Sequence, residues 1–202
     1  MRSRGVRVLL LVAAAAALAA AGTGVWQIER RIAAAQGAAD DFERGAREAV
    51  VSLGDWRAAQ QACVAEGQPP AAWMTKAAGI AEAVGPRLSA LRAAAGTAEA
   101  QGAVESAIEA FTAAVQSDAR ARDYVSAGQR LSASDVIFLE AAPAIEKAVI
   151  NIDTARGQER VAFAVALEAL RRWELIALGG AAGVLLLVVL LLVPLPRTAE
   201  GA

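Results

Sequence analysis

Between Ile28 and Trp56 the apolar residues Ile28, Ile32, Ala35, Ala39, Phe42, Ala46, Ala49, Leu53 and Trp56 follow one another in alternating steps of four and three. A strand would repeat every two residues; this repeat marks one face of an α-helix and the a/d seam of a coiled coil. Sustained without a break, it requires another helix to cover it. Three further seams follow: Ala77, Ile80, Val84, Leu88, Leu91 and Ala95; then Val104, Ile108, Phe111 and Val115; then Phe138, Ala142, Ile145, Val149 and Ile152. The seams are separated by Gly67-Gln68-Pro69-Pro70, by Gly96-Thr97 and by the stretch Gly128 to Ser132, where proline in a first turn or a Ser/Thr N-cap restarts a helix. Helices are therefore expected at about 26–66, 71–95, 98–129 and 133–172. The fold class is all-α, an up-down-up-down four-helix bundle with short loops. Many seam positions are alanine, so the helices approach closely and each buries little area. Modest stability or a homodimer is expected.

The ends of the chain explain a mean hydropathy of +0.40 and a hydrophobic content of 56%, too high for an ordinary soluble domain. Val8 to Val25 carries no charge and as a helix would measure about 27 Å, near the thickness of a bilayer core. Arg2, Arg4 and Arg7 precede it, which places the N-terminus on the cytoplasmic side. A cleavable signal peptide is the alternative, given the basic start and Ala19-Ala20-Ala21; either way the next segment lies outside. Leu175 to Leu195 is the second apolar stretch, with Trp173 as an interfacial anchor and Pro194 and Pro196 stopping the helix. Arg171 and Arg172 on the outer flank, against Arg197 on the inner, run counter to the usual charge bias.

The expected organisation is a cytoplasmic N-terminus at 1–7, a transmembrane helix at 8–25, an extracytoplasmic four-helix bundle at 26–172, a second transmembrane helix at 173–195 and a cytoplasmic tail at 196–202. The first and last bundle helices continue into the spans. The protein is expected in the inner membrane as a two-span protein with its bulk in the periplasm. The short tail has no room for an output module, so any signal is expected to pass to a separate partner.

Composition excludes several chemistries. Histidine is absent, which removes His-based acid–base catalysis, Ser-His-Asp triads and most zinc and haem sites. Net charge is −1, and the few aromatics offer no stacking surface, so nucleic acid is not an expected partner. The single cysteine, Cys63, has no internal disulfide partner and reads as a small buried residue, an intermolecular link being the alternative. There is no phosphate-binding glycine loop, nucleophile elbow or metal-ligand spacing. Asp40 and Asp41 are adjacent and diverge on a helix. Neither an enzyme nor a cofactor is expected.

Candidate site residues come from extending the seams away from the membrane. The first helix leads to Gln60 and Cys63, and the third to Asp118, Arg122, Val125 and Gln129. The last, extended backwards, leads to Asp135. Gln60, Asp118, Arg122, Gln129 and Asp135 would then point inward, where unpaired polar groups are costly. They pair with one another, meet water or hold a ligand. Polar seam residues also serve register and partner choice. Asp118 and Arg122 stand four apart and can pair on one helix. Arg130, Ser134, Trp73 and Tyr124 lie at similar height, Pro143 is expected to kink the last helix, and Arg156 to Arg160 reads as a solvated face.

This organisation, two anchors around a periplasmic four-helix bundle with the last helix continuous with the second anchor, resembles the sensor half of bacterial chemoreceptors and related sensor kinases. The resemblance spans the chain as architecture and includes no ligand-specific motif. It implies a homodimer, a ligand site at the membrane-distal end near Gln60, Asp118, Arg122, Gln129 and Asp135, and transmission through the last helix and Trp173. The chain departs from that family in having no cytoplasmic linker, methylated hairpin or catalytic module. The competing expectation is a structural or scaffold subunit of a membrane complex with no small ligand.

Overall fold

The computed structural model describes the backbone of residues 4–192 and the side chains of residues 12, 15–186 and 189. Among them the fold is all-helical. Helix α1 spans Arg4–Val64, α2 Pro70–Ala94, α3 Ala98–Ser126, α4 Arg130–Val136 and α5 Ala142–Leu192, with a π-helical turn at Ile137–Ala141 between α4 and α5. Alanine-rich stretches, the best helix formers, account for the length of these elements. Their ends follow from local chemistry. Gly67 and Gly128 adopt positive φ (74° and 75°) after α1 and α3, the left-handed conformation that ends helices and that glycine adopts without a Cβ clash. Pro70 occupies the first turn of α2, and the Thr97 hydroxyl accepts from the backbone N–H of Ala100 at 3.1 Å at the start of α3. The fourth helix starts at Arg130, three residues before the expected position, with no side-chain cap.

Two compact units divide the chain: Gln36–Phe163 is one, and Met1–Ala35 with Ala164–Ala202 the other. In the first, one core draws on α1, α2, α3 and α5, centred on Leu53, Trp56, Leu88, Val104, Ile145 and Ile152. Trp56 and Phe111 meet at 5.3 Å between ring centroids, tilted by 59°. Contacts set the directions. Gly45 lies against Leu91 and Gly85 against Phe111, while Trp56 meets Phe111 and Gln60 meets Asp118. Helix α2 therefore runs antiparallel to α1 and α3, and α1 and α3 run alike. Glu159 of α5 reaches Thr97 at the start of α3, so α5 returns antiparallel to α3. This is an all-helical bundle with alternating directions.

The α1 seam from Phe42 onward and the seams of α2 and α3 fall in the core as expected, with Ile80, Ile108 and Val115 half-buried at its margin, whereas Ile28, Ile32, Ala35 and Ala39 at the start of the α1 seam lie outside it and are half-buried. The seam of the last helix differs. Phe138 is 47% exposed, while Ile137 and Ala141 are buried. The π turn is the reason: the N–H of Ala142 donates to the carbonyl of Ile137, five residues back, so one extra residue enters the helix and residues before it rotate out of the extrapolated register. Pro143 follows directly and has no N–H to offer an α-type bond.

In the second unit the half-buried positions of α1 (Gly24 with Val25, Ile28, Ile32, Ala35) and of α5 (Leu167, Leu170, Glu174, Ala177) recur at steps of three and four, with the residues between them exposed. Among the described residues no helix is long and apolar enough to cross a membrane. The stretches at 8–25 and 173–195 lie in part outside the described residues, as do the N-terminal segment up to residue 3 and the tail at 196–202.

Candidate functional site

At the end of the bundle where α1 and α3 finish, the core turns polar. Gln60 is 1% and Asp118 3% exposed, each placed inward by the helical spacing of its seam. Gln60 Nε2 donates to Asp118 Oδ1 at 2.8 Å. Arg122, one turn further along α3, brings Nη2 to 2.7 Å from Asp118 Oδ2. That approach is an ion pair without hydrogen-bond alignment, since Oδ2 lacks a well-directed donor. Three more buried polar atoms have no protein partner: Trp56 Nε1, Gln60 Oε1 and Arg122 Nε. One indole N–H, one amide oxygen, one carboxylate oxygen and one guanidinium N–H are thus withdrawn from bulk water along this end of the bundle, each at a cost unless a further group satisfies it.

Cys63 lies beside this cluster, buried, its thiol donating to the Ala59 carbonyl at 3.3 Å. Burial pushes its pKa up, and the neighbouring Asp118 carboxylate adds to that rise. A thiol held protonated and away from solvent acts as a small core residue.

The Arg122 side chain is 35% exposed, so it bridges the buried carboxylate and the surface. It forms one wall of an open groove of about 560 Å³ between α2 and α3, shared with Met74, Thr75, Gly79, Glu82 and Ser126. Pro86, within α2, has no N–H for the Glu82 carbonyl one turn back.

Of the residues singled out from sequence, Gln60, Asp118 and Arg122 come together, and Gln129 and Asp135 do not. Gln129 is exposed at the start of α4, directly after the left-handed Gly128. Asp135 is exposed because the π turn shifts the register that placed it inward. Trp73 Nε1 donates to Gln68 Oε1 at 3.0 Å and carries the Lys76 ammonium 4.8 Å above its ring. Tyr124 is partly exposed.

A second polar cluster, at the opposite end of the bundle, was missed by the sequence reading. Arg156 donates to both Glu43 oxygens, through Nη2 to Oε1 and through Nε to Oε2 at 3.1 Å. Its Nη1 reaches Asp153 Oδ1 at 2.6 Å, and Arg160 Nη2 donates to Glu43 Oε1 at 2.8 Å. The Arg156 side chain is only 20% exposed, which corrects the reading of a solvated face at Arg156, while Arg160 at the end of that stretch is exposed as expected. These bonds hold the Glu43 carboxyl at about 2, below its ordinary 4.5, Arg156 being the chief cause, against an opposing effect of burial. Arg156 is correspondingly raised by Glu43. Nearby, Glu159 Oε1 accepts from the N–H groups of Gly96 (2.8 Å) and Thr97 (2.9 Å) and from the Thr97 hydroxyl (3.0 Å). The signal was present in the sequence: the α5 seam Ile152, Ala155 continues to Glu159.

Among the described residues no group of three or more His, Cys, Asp and Glu side chains could hold a metal ion. No protein-family model, curated protein or solved structure matches the chain.

Proposed function

We propose that this protein is a membrane-anchored sensory protein whose helical bundle binds a small ligand outside the cytoplasm and acts through a separate output protein. The observation that carries the ligand site is the set of buried atoms without hydrogen-bond partners on Trp56, Gln60 and Arg122, beside the Asp118–Arg122 ion pair, with Arg122 opening into a groove. A small molecule bearing a carboxylate or similar anion has the chemistry to pair with Arg122, the member of the cluster that lines the groove. The anchors are the stretches at 8–25 and 173–195. Their support is the charge-free Val8 to Val25, the Leu/Val run that follows Gly183, and the exposure of Leu175, Ile176, Leu178, Leu186 and Val189 on α5. Exposed aliphatic side chains in such density fit lipid better than water.

A second reading, a scaffold subunit without a small ligand, is favoured by a different feature. An apolar groove of about 550 Å³ runs between the start of α3 and α5, lined among others by Thr97, Thr154, Gly157 and Val161, and suits a protein partner.

Thermal unfolding of the full chain in detergent, against a panel of small metabolites, separates the two. A ligand at a hundred times its dissociation constant adds about 2.7 kcal/mol, an upward midpoint shift of roughly 5–10 °C. The sensory reading expects such a shift from one class of anion and its loss in Arg122→Ala. A flat response across a broad panel favours the scaffold.

A further inference from the structure

We infer that a collar of arginines and tryptophans in the unit formed by Met1–Ala35 and Ala164–Ala202 is a binding surface for anionic phospholipid headgroups. The inference rests on the anchored reading proposed above. Arg30, Arg31 and Trp26 lie within two turns of one another on α1, and Arg171, Arg172 and Trp173 are consecutive on α5. Both groups flank the half-buried positions of this unit, Ile28 and Ile32 on α1 and Leu170 and Glu174 on α5.

At this level both tryptophans are largely exposed, Trp26 at 56% and Trp173 at 64%. The Arg30 guanidinium stacks 4.8 Å over the Trp26 ring, a geometry that leaves its N–H edge free. Arg172 pairs with Glu168 at 2.7 Å, both exposed, a contact that contributes little in water and exchanges readily. Among the described residues Arg31 and Arg171 make no ion pair. Glu29, Glu168 and Glu174 share the level, so the free cationic groups are Arg30, Arg31 and Arg171. Immediately beyond lie exposed Leu175, Ile176 and Leu178, and a surface groove of about 460 Å³ joins Glu168, Arg172, Trp173 and Ile176.

The order along the surface is therefore guanidinium, indole, aliphatic: the order of phosphate, glycerol region and acyl chain in a lipid. Arginine suits phosphate because its planar fork donates two parallel hydrogen bonds, and exposed tryptophan belongs at the bilayer interface. A lipid ligand also accounts for four arginines on the flank that topology rules leave poor in positive charge. Each arginine near an anionic surface adds to the attraction, and the attraction is screened by salt.

The test uses the full chain reconstituted in vesicles of phosphatidylcholine containing a minor fraction of phosphatidylglycerol. The association of spin-labelled phosphatidylglycerol is compared with that of spin-labelled phosphatidylcholine. The expected result is a several-fold preference for phosphatidylglycerol. It should weaken in 0.5 M salt, approach unity in the R30Q/R31Q/R171Q/R172Q variant and persist in Arg57→Gln on the bundle. An undiminished preference in the quadruple variant overturns the inference. Loss of the preference on adding inorganic phosphate at millimolar concentration overturns it too, by showing a soluble-anion site instead of a lipid one. Alkaline carbonate extraction of the same membranes reports on the anchors separately. A chain released by carbonate removes the anchored reading and the inference together, whereas a retained chain without lipid preference removes the inference alone.

Discussion

The two ends of the helical bundle bury similar polar chemistry and treat it differently. Where α2 turns into α3, Glu43 is held by two arginines, Arg156 is bound to two carboxylates, and Glu159 caps the start of α3 with three accepted hydrogen bonds. At the other end, Gln60 and Asp118 are buried deeper and Arg122 reaches the surface, yet one atom of each and the Trp56 N–H lack a hydrogen-bond partner. A satisfied network lies at a local minimum and clasps the helices it joins. An unsatisfied one costs stability until another group arrives, which is the physical condition for a binding site. One end therefore reads as a clasp and the other as the candidate site.

The largest expected effect is at the unsatisfied end. Asp118→Ala strips Gln60 Nε2 and Arg122 of their partner and should cost about 3–5 kcal/mol in unfolding free energy, the range for removing one member of a buried pair. The double variant Q60L/D118L sharpens the contrast. With both partners apolar and Arg122 free to turn to solvent, most of that loss should be recovered in the thermal midpoint. A double variant as unstable as Asp118→Ala would show that the polar network itself holds this end together.

Glu43→Gln tests the clasp. The network is partly exposed, so a smaller loss of about 1–3 kcal/mol is expected. Its pH dependence has a definite sign. The folded-state value of about 2 lies below the ordinary 4.5, so the contribution of Glu43 is fully present above pH 4.5 and disappears as pH falls toward 2. Thermal midpoints of the wild type should drop through that window, and Glu43→Gln should flatten the drop. Parallel curves for the two proteins would assign the acid sensitivity elsewhere. The smallest effect is Glu159→Gln, which keeps an acceptor but removes the charge facing the start of α3. A loss of about 0.5–1 kcal/mol, diminished by salt, is expected from denaturant unfolding.

Part of this was legible from residue spacing alone. The four-and-three repeat placed Phe42, Ala46, Leu53, Trp56, Val84, Leu88 and Val104 in the core because helical periodicity is local and does not depend on neighbours. The same extrapolation brought Gln60, Asp118 and Arg122 to one place, since no irregularity separates them from their seams. It failed at Asp135 and Phe138, where one inserted π-turn residue rotates everything before it. Pro143 marked the neighbourhood as irregular but could not say whether the helix would bend or widen.

The sequence by itself determined the helical class, the positions of the turns, most of the core and the polar identity of one seam's end. These follow from local propensity, capping chemistry and periodicity. Only the tertiary structure decided which polar groups find partners. Glu43 and Arg156 lie far apart in the chain and meet because antiparallel α1 and α5 share a register. Arg122 opens into a groove because Met74, Thr75 and Gly79 of α2 stand beside it. Satisfaction of a buried charge depends on distances of a few ångströms across helices, and residue spacing along one helix does not contain them.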